Sequence, residues 1–183
     1  MLDRQAREAW RPLTGEHAKM TIEERLEALE ARCRKAEDHL AILNLINSYG
    51  PLVDSATAAP AGELWEKGGG YNFTVPGGGT KRLEAPDEIA GMYSWPGHLD
   101  LVNTGCAHLT ATPVVTVDGD AAQAVGYSLV VLREGERWFV WRAAVNHWTF
   151  RRTADGWRIA ERFNRALDGS PESHETMRKV LAI

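Results

Sequence analysis

The sequence predicts an α+β fold, cone-shaped, with a long N-terminal helix packed into a strongly curved, mainly antiparallel sheet. Three observations predict it. An apolar stripe runs along residues 22–43 with steps of four and three, the period of one helix face. Long alternating runs fill the C-terminal half, separated by Gly-containing turns at Asp118-Gly119, Glu134-Gly135 and Asp155-Gly156. Helical signals and strand signals segregate to opposite halves, the mark of an α+β rather than an α/β chain. The open end of such a cone is the natural ligand site.

The elements follow in order. Residues 1–20 carry Trp10 and Pro12 with little periodicity and read as an N-terminal arm, whose contact with a neighbouring subunit the sequence leaves open. Thr21-Ile22-Glu23-Glu24 is a capping box, in which hydroxyl and carboxylate satisfy two orphan backbone donors. The helix runs to about Tyr49 with its stripe at Ile22, Leu26, Leu29, Cys33, Ala36, Leu40 and Leu43, and Gly50-Pro51 ends it. That stripe is either a coiled-coil seam or a face packed on the protein's own sheet. Ala36 and Cys33 make the seam weak, so the second use is preferred.

Residues 56–67 read as a loop and a short helix carrying Leu64 and Trp65, and residues 71–75 as a strand turned by Gly77-Gly78-Gly79. No Lys-Ser/Thr pair opens a helix after those glycines, so they are not a phosphate loop. Pro86-Asp87-Glu88 starts a short helix that ends near Tyr93. Trp95-Pro96-Gly97 stops it, leaving His98 in a Gly-rich loop over the cone mouth. The meander has strands at 109–117, with Pro113 at a bulge or edge, then 121–132, 137–151 and 157–165. The domain is thus 21–167, followed by a C-terminal extension, 168–183.

Composition excludes several classes. A chain of 183 residues with 44% hydrophobic and 25% charged residues is an ordinary globular domain. A net charge of -4 gives no footprint for nucleic acid or an anionic membrane. No apolar run is long enough for a span, and the first residues lack a signal-peptide core, so the expected location is cytoplasmic. Cys33 and Cys106 form no motif and are expected as reduced thiols. His17, His39, His98, His108, His147 and His174 show no pair at metal-ligand spacing, so no metal and no cofactor is expected. No nucleophile elbow is present. The seven tryptophans call for large flat apolar surfaces in core, interface or pocket.

The order Tyr49 to Asp54, Leu64-Trp65, His108 to Asp118-Gly119-Asp120 and Thr153-Ala-Asp-Gly-Trp-Arg-Ile-Ala-Glu161 resembles the SnoaL-like branch of the nuclear-transport-factor-2-like superfamily. The resemblance covers roughly residues 35–165. It implies the cone fold and a choice among dehydratases, isomerases, a dehydrochlorinase, polyketide cyclases, lyases on lignin-derived diaryl compounds and plain binding modules. The site pattern is most similar to the scytalone dehydratase and hexachlorocyclohexane dehydrochlorinase subgroup. There an Asp after the first helix pairs with a His at the start of the meander, positions held here by Asp54 and His108. Arg162 falls where the dehydrochlorinase has an Arg, and Tyr49 where it has a Lys. Scytalone dehydratase's second His is missing at Leu132-Arg133, and His147, one strand on, is the candidate substitute.

These residues point to base chemistry. A neutral His can take a proton, and a carboxylate on its other ring nitrogen fixes the tautomer and stabilises the imidazolium. The bland alternative is that Asp54 caps a turn and His108 is a satisfied interior histidine. Tyr49 can donate to a leaving oxygen or an oxyanion. Strict alternation puts Arg162 on one face with Arg158 and Ala160, either lining the cone or solvated. Substrate contacts are expected from Trp65, Tyr71, Phe73, Tyr93, Trp95, His98, Asn146 and His147. The function that results is a cofactor-independent lyase (dehydration or aldehyde-releasing C–C cleavage) acting on a small aromatic substrate such as a lignin-derived diaryl compound. An isomerase or polyketide-type cyclase on a polycyclic substrate, and a non-catalytic binding or assembly module, remain open. A homodimer or homotrimer is the expected assembly.

Overall fold

The computed structural model describes residues 20–56, 58–75 and 77–181. Helix α1 spans Ile22–Asp54 and α2 Ala58–Gly62; strands β1 and β2 span Trp65–Thr74 and Thr80–Glu84. Helices α3 (Ala85–Met92) and α4 (Pro96–Thr104) follow. The meander is β3 (Cys106–Thr110), β4 (Val114–Asp118), β5 (Ala121–Glu134), β6 (Arg137–Thr153) and β7 (Gly156–Ala166), closed by α5 (Pro171–Leu181). By packing, the chain divides into Met1–Glu37 and Asp38–Ile183.

In the first unit, the described part is the opening of α1. Thr21 N donates to Glu24 Oε2 at 2.8 Å and Glu24 N donates to Thr21 Oγ1 at 3.2 Å, which is the expected capping box. The arm expected over 1–20 lies, but for Met20, outside the described residues.

The second unit holds the sheet. Its order is β2-β1-β7-β6-β5-β3, with β4 also paired to β5. Every pairing is antiparallel except β1 with β7. The expected α+β architecture is therefore present, a long helix with a curved, mainly antiparallel sheet. The hairpin turns use Gly119, Gly135 and Gly156, all at positive φ where an L side chain is strained. The core joins Ile42, Ile46, Tyr49 and Val53 of α1 to Ala122, Ala124, Trp148, Phe150, Trp157 and Ile159 of the sheet.

Several local expectations are corrected. Helix α1 does not stop at Tyr49 but continues through Gly50-Pro51 to Asp54, and Ser55 N donates to the Pro51 carbonyl at 3.1 Å. Burial of Tyr49, Gly50 and Val53 holds this turn in place and outweighs the local breaker. Strand β1 begins at Trp65 rather than near Tyr71. Strand β2 and helix α4 were not anticipated, and Pro113 separates β3 from β4 instead of bending one strand. Pro96 stands at the start of α4, where its missing N–H costs nothing, so the proline read as a stop is a start. The helical stripe is not the buried face either: Ile22, Leu26, Leu29, Cys33, Ala36 and Leu40 are exposed, while Ile42, Ile46, Tyr49 and Val53 are buried.

One anchor ties α1 to the turn end of the sheet. Asp38 accepts two bonds from the Arg152 guanidinium, each 2.7 Å, and one from Trp157 Nε1 at 3.0 Å. The Arg152 hydrogen bond leads in holding the Asp38 carboxyl below its usual range, against partial burial. Asp38→Ala is expected to cost about 1–2 kcal/mol, the value of charge-assisted bonds discounted for solvent screening. Because the folded pKa is depressed, this contribution is complete above the unfolded carboxylate's pKa and is lost as pH falls through the folded one. Urea titrations at neutral and acid pH check it: the gap between wild type and variant closes in acid.

Candidate active site

Asp54 ends α1 and His108 sits mid-strand in β3, so the two elements must approach closely for the side chains to meet. They do so over Gly50, where any Cβ would overlap the His108 carbonyl oxygen. The glycine read as a helix cap is thus there for close approach. Asp54 Oδ1 lies 2.6 Å from His108 Nδ1, Asp54 Oδ2 accepts from the His108 backbone N–H at 2.7 Å, and the Cys106 thiol donates to Oδ1 at 3.4 Å.

These bonds set the charges. Burial pushes the Asp54 carboxyl up, but the His108 ring and backbone N–H, helped by Cys106, bring it net below its usual value. Asp54 is therefore an anion near neutral pH, and a carboxylate can only accept, so Nδ1 of His108 carries the proton and Nε2 remains the basic nitrogen. Burial and the Asp54 charge push the Cys106 thiol up to about 12, which makes it a donor rather than a nucleophile. Asp54, Cys106 and His108 offer three potential ligand atoms within 4.8 Å of one another. The three are joined by hydrogen bonds, with Asp54 Oδ1 engaged by both the thiol and the ring.

His108 opens onto a cavity of about 210 Å³ whose wall also includes Tyr49, Tyr71, Phe73, Tyr93, Trp95 and His98. His98 lies in α4, not in a loop, and its Nε2 is 3.1 Å from the Val53 carbonyl. A carbonyl accepts, so Nε2 donates and Nδ1 is left as an acceptor. Burial leads in lowering the His98 pKa and the neighbouring His108 adds to it, so the ring is neutral. The two imidazole centroids are 5.7 Å apart.

Arg162 also lines this cavity, and here strict alternation misleads. Thr149 pairs Glu161 but Phe150 pairs Ile159, so Ala160 is an extra residue in β7. This bulge turns Arg162 onto the face of Trp157 and Ile159 rather than that of Arg158 and Ala160. Arg162 is 3% exposed, and its guanidinium carbon lies 4.2 Å from the centroid of Tyr49 and 4.7 Å from that of Tyr71. No ion pair is found for it among the described residues.

Asn146, 0% exposed, is the hub behind it. Its Oδ1 accepts from Arg162 Nε at 3.0 Å and Asn164 Nδ2 at 2.8 Å, and its Nδ2 donates to Ser128 Oγ at 2.8 Å. Arg142 donates to Asn164 Oδ1 at 2.9 Å.

Of the expected substrate contacts, Tyr71, Phe73, Tyr93, Trp95 and His98 line the cavity, whereas Trp65, Asn146 and His147 do not. Trp65 is core, its Nε1 bound to the Gly70 carbonyl at 3.2 Å. Asn146 is engaged through both its amide oxygen and its amide nitrogen by the network just described. His147 points to the other side of β6, stacked on Phe163. Sequence reading missed Arg142, Ser128 and Asn164 in the wall. The signal was available: polar residues in apolar strands, with Asn164 directly opposite Asn146. Asn146→Leu is expected to leave Arg162 Nε and Asn164 Nδ2 unpaired and to cost about 2–4 kcal/mol. A thermal or urea melt checks this, and a stability within error of wild type would refute the hub.

Comparison with known proteins gives the family. A SnoaL-like domain matches residues 34–163. No curated protein matches the chain. Among solved structures, an NTF2-like protein with a cystatin-like fold from Novosphingobium aromaticivorans is 38% identical, with TM-score 0.79, over 83% of this chain and 96% of that one. A provisional dehydratase of the NTF2-like family from Streptomyces avermitilis is 18% identical, with TM-score 0.55, over 73% and 98%. A provisional aromatic ring hydroxylase from N. aromaticivorans is 20% identical, with TM-score 0.57, over 72% and 90%. The last two speak for the fold alone. With the domain match covering most of the chain, this protein belongs to the SnoaL-like domain family.

Proposed function

We propose that this chain is a cofactor-independent lyase in which His108, oriented by Asp54, abstracts a proton from a small aromatic substrate. The observation that carries the reading is the juxtaposition in one aromatic cavity of a carboxylate-bound imidazole and a buried arginine with no carboxylate partner among the described residues. A buried, unpaired cation is costly, and a ligand oxygen that carries or develops negative charge offsets that cost. In the forward step His108 Nε2 takes a proton, and Asp54 stabilises the imidazolium that forms. In dehydration the proton comes from carbon, its electron pair forms the new double bond, and the neighbouring hydroxyl takes a proton from the Tyr49 hydroxyl and leaves as water. In C–C cleavage the proton comes from a substrate hydroxyl, whose oxygen becomes the carbonyl of the released aldehyde. The pair of the broken C–C bond stays on the remaining carbon, which takes the proton back from the His108 imidazolium. Arg162 and the hydroxyls of Tyr49 and Tyr71 meet the negative charge as it develops. Burial, partly offset by Arg162, pushes the Tyr71 phenol well up, which keeps it a donor. The Tyr93 hydroxyl is buried without a hydrogen-bond partner among the described residues, a further point for a substrate oxygen.

Cavity size narrows the substrate. About 210 Å³ exceeds the ~150 Å³ that takes benzene and falls short of the ~300 Å³ at which drug-sized sites begin. One substituted ring fits inside, and a diaryl compound would leave its second ring at the mouth. Assembly as a homodimer or homotrimer belongs to the same reading, since Trp138, Phe139, Val140 and Trp141 of β6 are all exposed.

The test is turnover with mass readout on aryl-propane diols, hydroxylated polycyclic compounds and halogenated rings, comparing wild type with His108→Ala. Loss of water or formaldehyde by the wild type alone is expected. A product of unchanged mass would make the protein an isomerase or cyclase, and equal turnover by the variant would remove the dyad from the chemistry. No turnover by either, with a ligand bound equally by both, would make it a binding module.

A further inference from the structure

The exposed stripe on α1 has a use that the pocket does not absorb. It is a second face of the helix, rotated from the one that carries Asp38, Ile42, Ile46, Tyr49 and Val53 against the sheet. Ile22 is 77% exposed, Leu26 55%, Leu29 47% and Leu40 59%. An apolar face this open on a helix otherwise rich in charge is a burial opportunity left unfilled within the described residues. The spacing is that of a heptad seam: Leu26, Cys33 and Leu40 take the a positions, and Ile22, Leu29, Ala36 and Leu43 the d positions.

The flanking charges choose the occupant. In this frame Glu23, Glu30 and Glu37 are the e positions, and Arg25 and Arg32 are the g positions. In a parallel, in-register pair each g residue faces the e residue of the next heptad on the other chain. That sets Arg25 against Glu30 and Arg32 against Glu37, twice each by symmetry. An antiparallel pair would face g with g and e with e, setting like charges together. Among the described residues, the one ion pair found for Glu30 is with exposed Arg34 at 3.9 Å, too weak a bond to withhold it from a partner. The small residues Cys33 and Ala36 at the middle of the seam permit close approach of the two helices.

We propose that residues 22–43 form a parallel, in-register coiled coil with a second copy of this chain. The inference is independent of the pocket chemistry. It revises the preference for packing on the protein's own sheet, because that face lies elsewhere on the helix.

Cys33 supplies the test. In a parallel in-register pair an a-position cysteine faces its own counterpart, within the Cα separation a disulfide spans. Full-length protein at low micromolar concentration is treated with a mild oxidant and run without reductant. A dimer bridged Cys33 to Cys33, identified by peptide mass and lost in Cys33→Ser, is expected. The double variant Arg25→Glu/Arg32→Glu is expected to lose the bridge, as is Glu30→Arg/Glu37→Arg, and mixing the two is expected to restore it as a heterodimer. All four positions are exposed, so the variants keep the fold, which circular dichroism verifies. Absence of the bridge in the wild type would overturn the proposal. A bridge that both charge variants form as well as wild type would overturn it too.

Discussion

His108→Ala is expected to lower kcat by about 10²–10⁴-fold, the usual worth of a positioned general base, while the protein stays folded. The fold survives because the backbone N–H of residue 108 and the Cys106 thiol still bind Asp54. Asp54→Asn is expected to reach a similar loss by another route. An amide can donate as well as accept, so it no longer enforces the Nδ1–H tautomer or stabilises the imidazolium. The two losses do not add, since each removes the same unit. Asp54→Asn also carries a stability signature. The Asp54 pKa is depressed in the folded protein, so its contribution is complete above the unfolded value and disappears as pH falls through the folded one. The variant's stability should therefore lag wild type at neutral pH and approach it in acid. Steady-state kinetics and urea titrations at two pH values check both parts.

Among the described glycines, Gly50→Ala should give the largest stability loss, about 3 kcal/mol or more. The added Cβ would overlap backbone, the His108 carbonyl, which cannot rotate away as a flexible side chain can. Relief requires α1 and β3 to separate, and that separation pulls Asp54 from His108. The same variant should therefore lose turnover although it alters neither the Asp54 carboxylate nor the His108 ring, the groups proposed to do the chemistry, with kcat falling more than KM rises. Gly91→Ala is the control: its Cβ meets open space within an α-helix, and stability there should hold or rise slightly. A Gly50→Ala protein as stable and active as wild type would show that close approach does not set the dyad.

What the sequence discloses depends on the range of the interaction. The capping box, the hairpin turns and the long strands are local, and each stands where it was expected. Asp54, His108 and Tyr49 were legible through resemblance, because their positions relative to the helix end and the meander match a pattern. The misreadings are tertiary. Gly50-Pro51 carries a strong stop signal, yet the contact that requires Gly50 is with a strand more than fifty residues away. Arg162 was placed by alternation, and a one-residue bulge at Ala160 reverses the face of everything after it. Trp65 looked like a pocket aromatic and is core, since bulk alone does not say which side of β1 is wet. The polar hub of Asn146, Arg162, Asn164 and Ser128 assembles across β5, β6 and β7, and only the strand register brings it together.

The account rests on Asp54 holding the His108 ring as the Nδ1–H tautomer, and nitrogen NMR of the histidine rings tests this without a substrate. In its neutral form the His108 ring should show a protonated Nδ1 and a bare Nε2, with the Nδ1 proton shifted downfield by its short bond to the carboxylate. Asp54→Asn should abolish that downfield proton. A His108 ring protonated on Nε2 alone, or one unchanged by Asp54→Asn, would contradict the account.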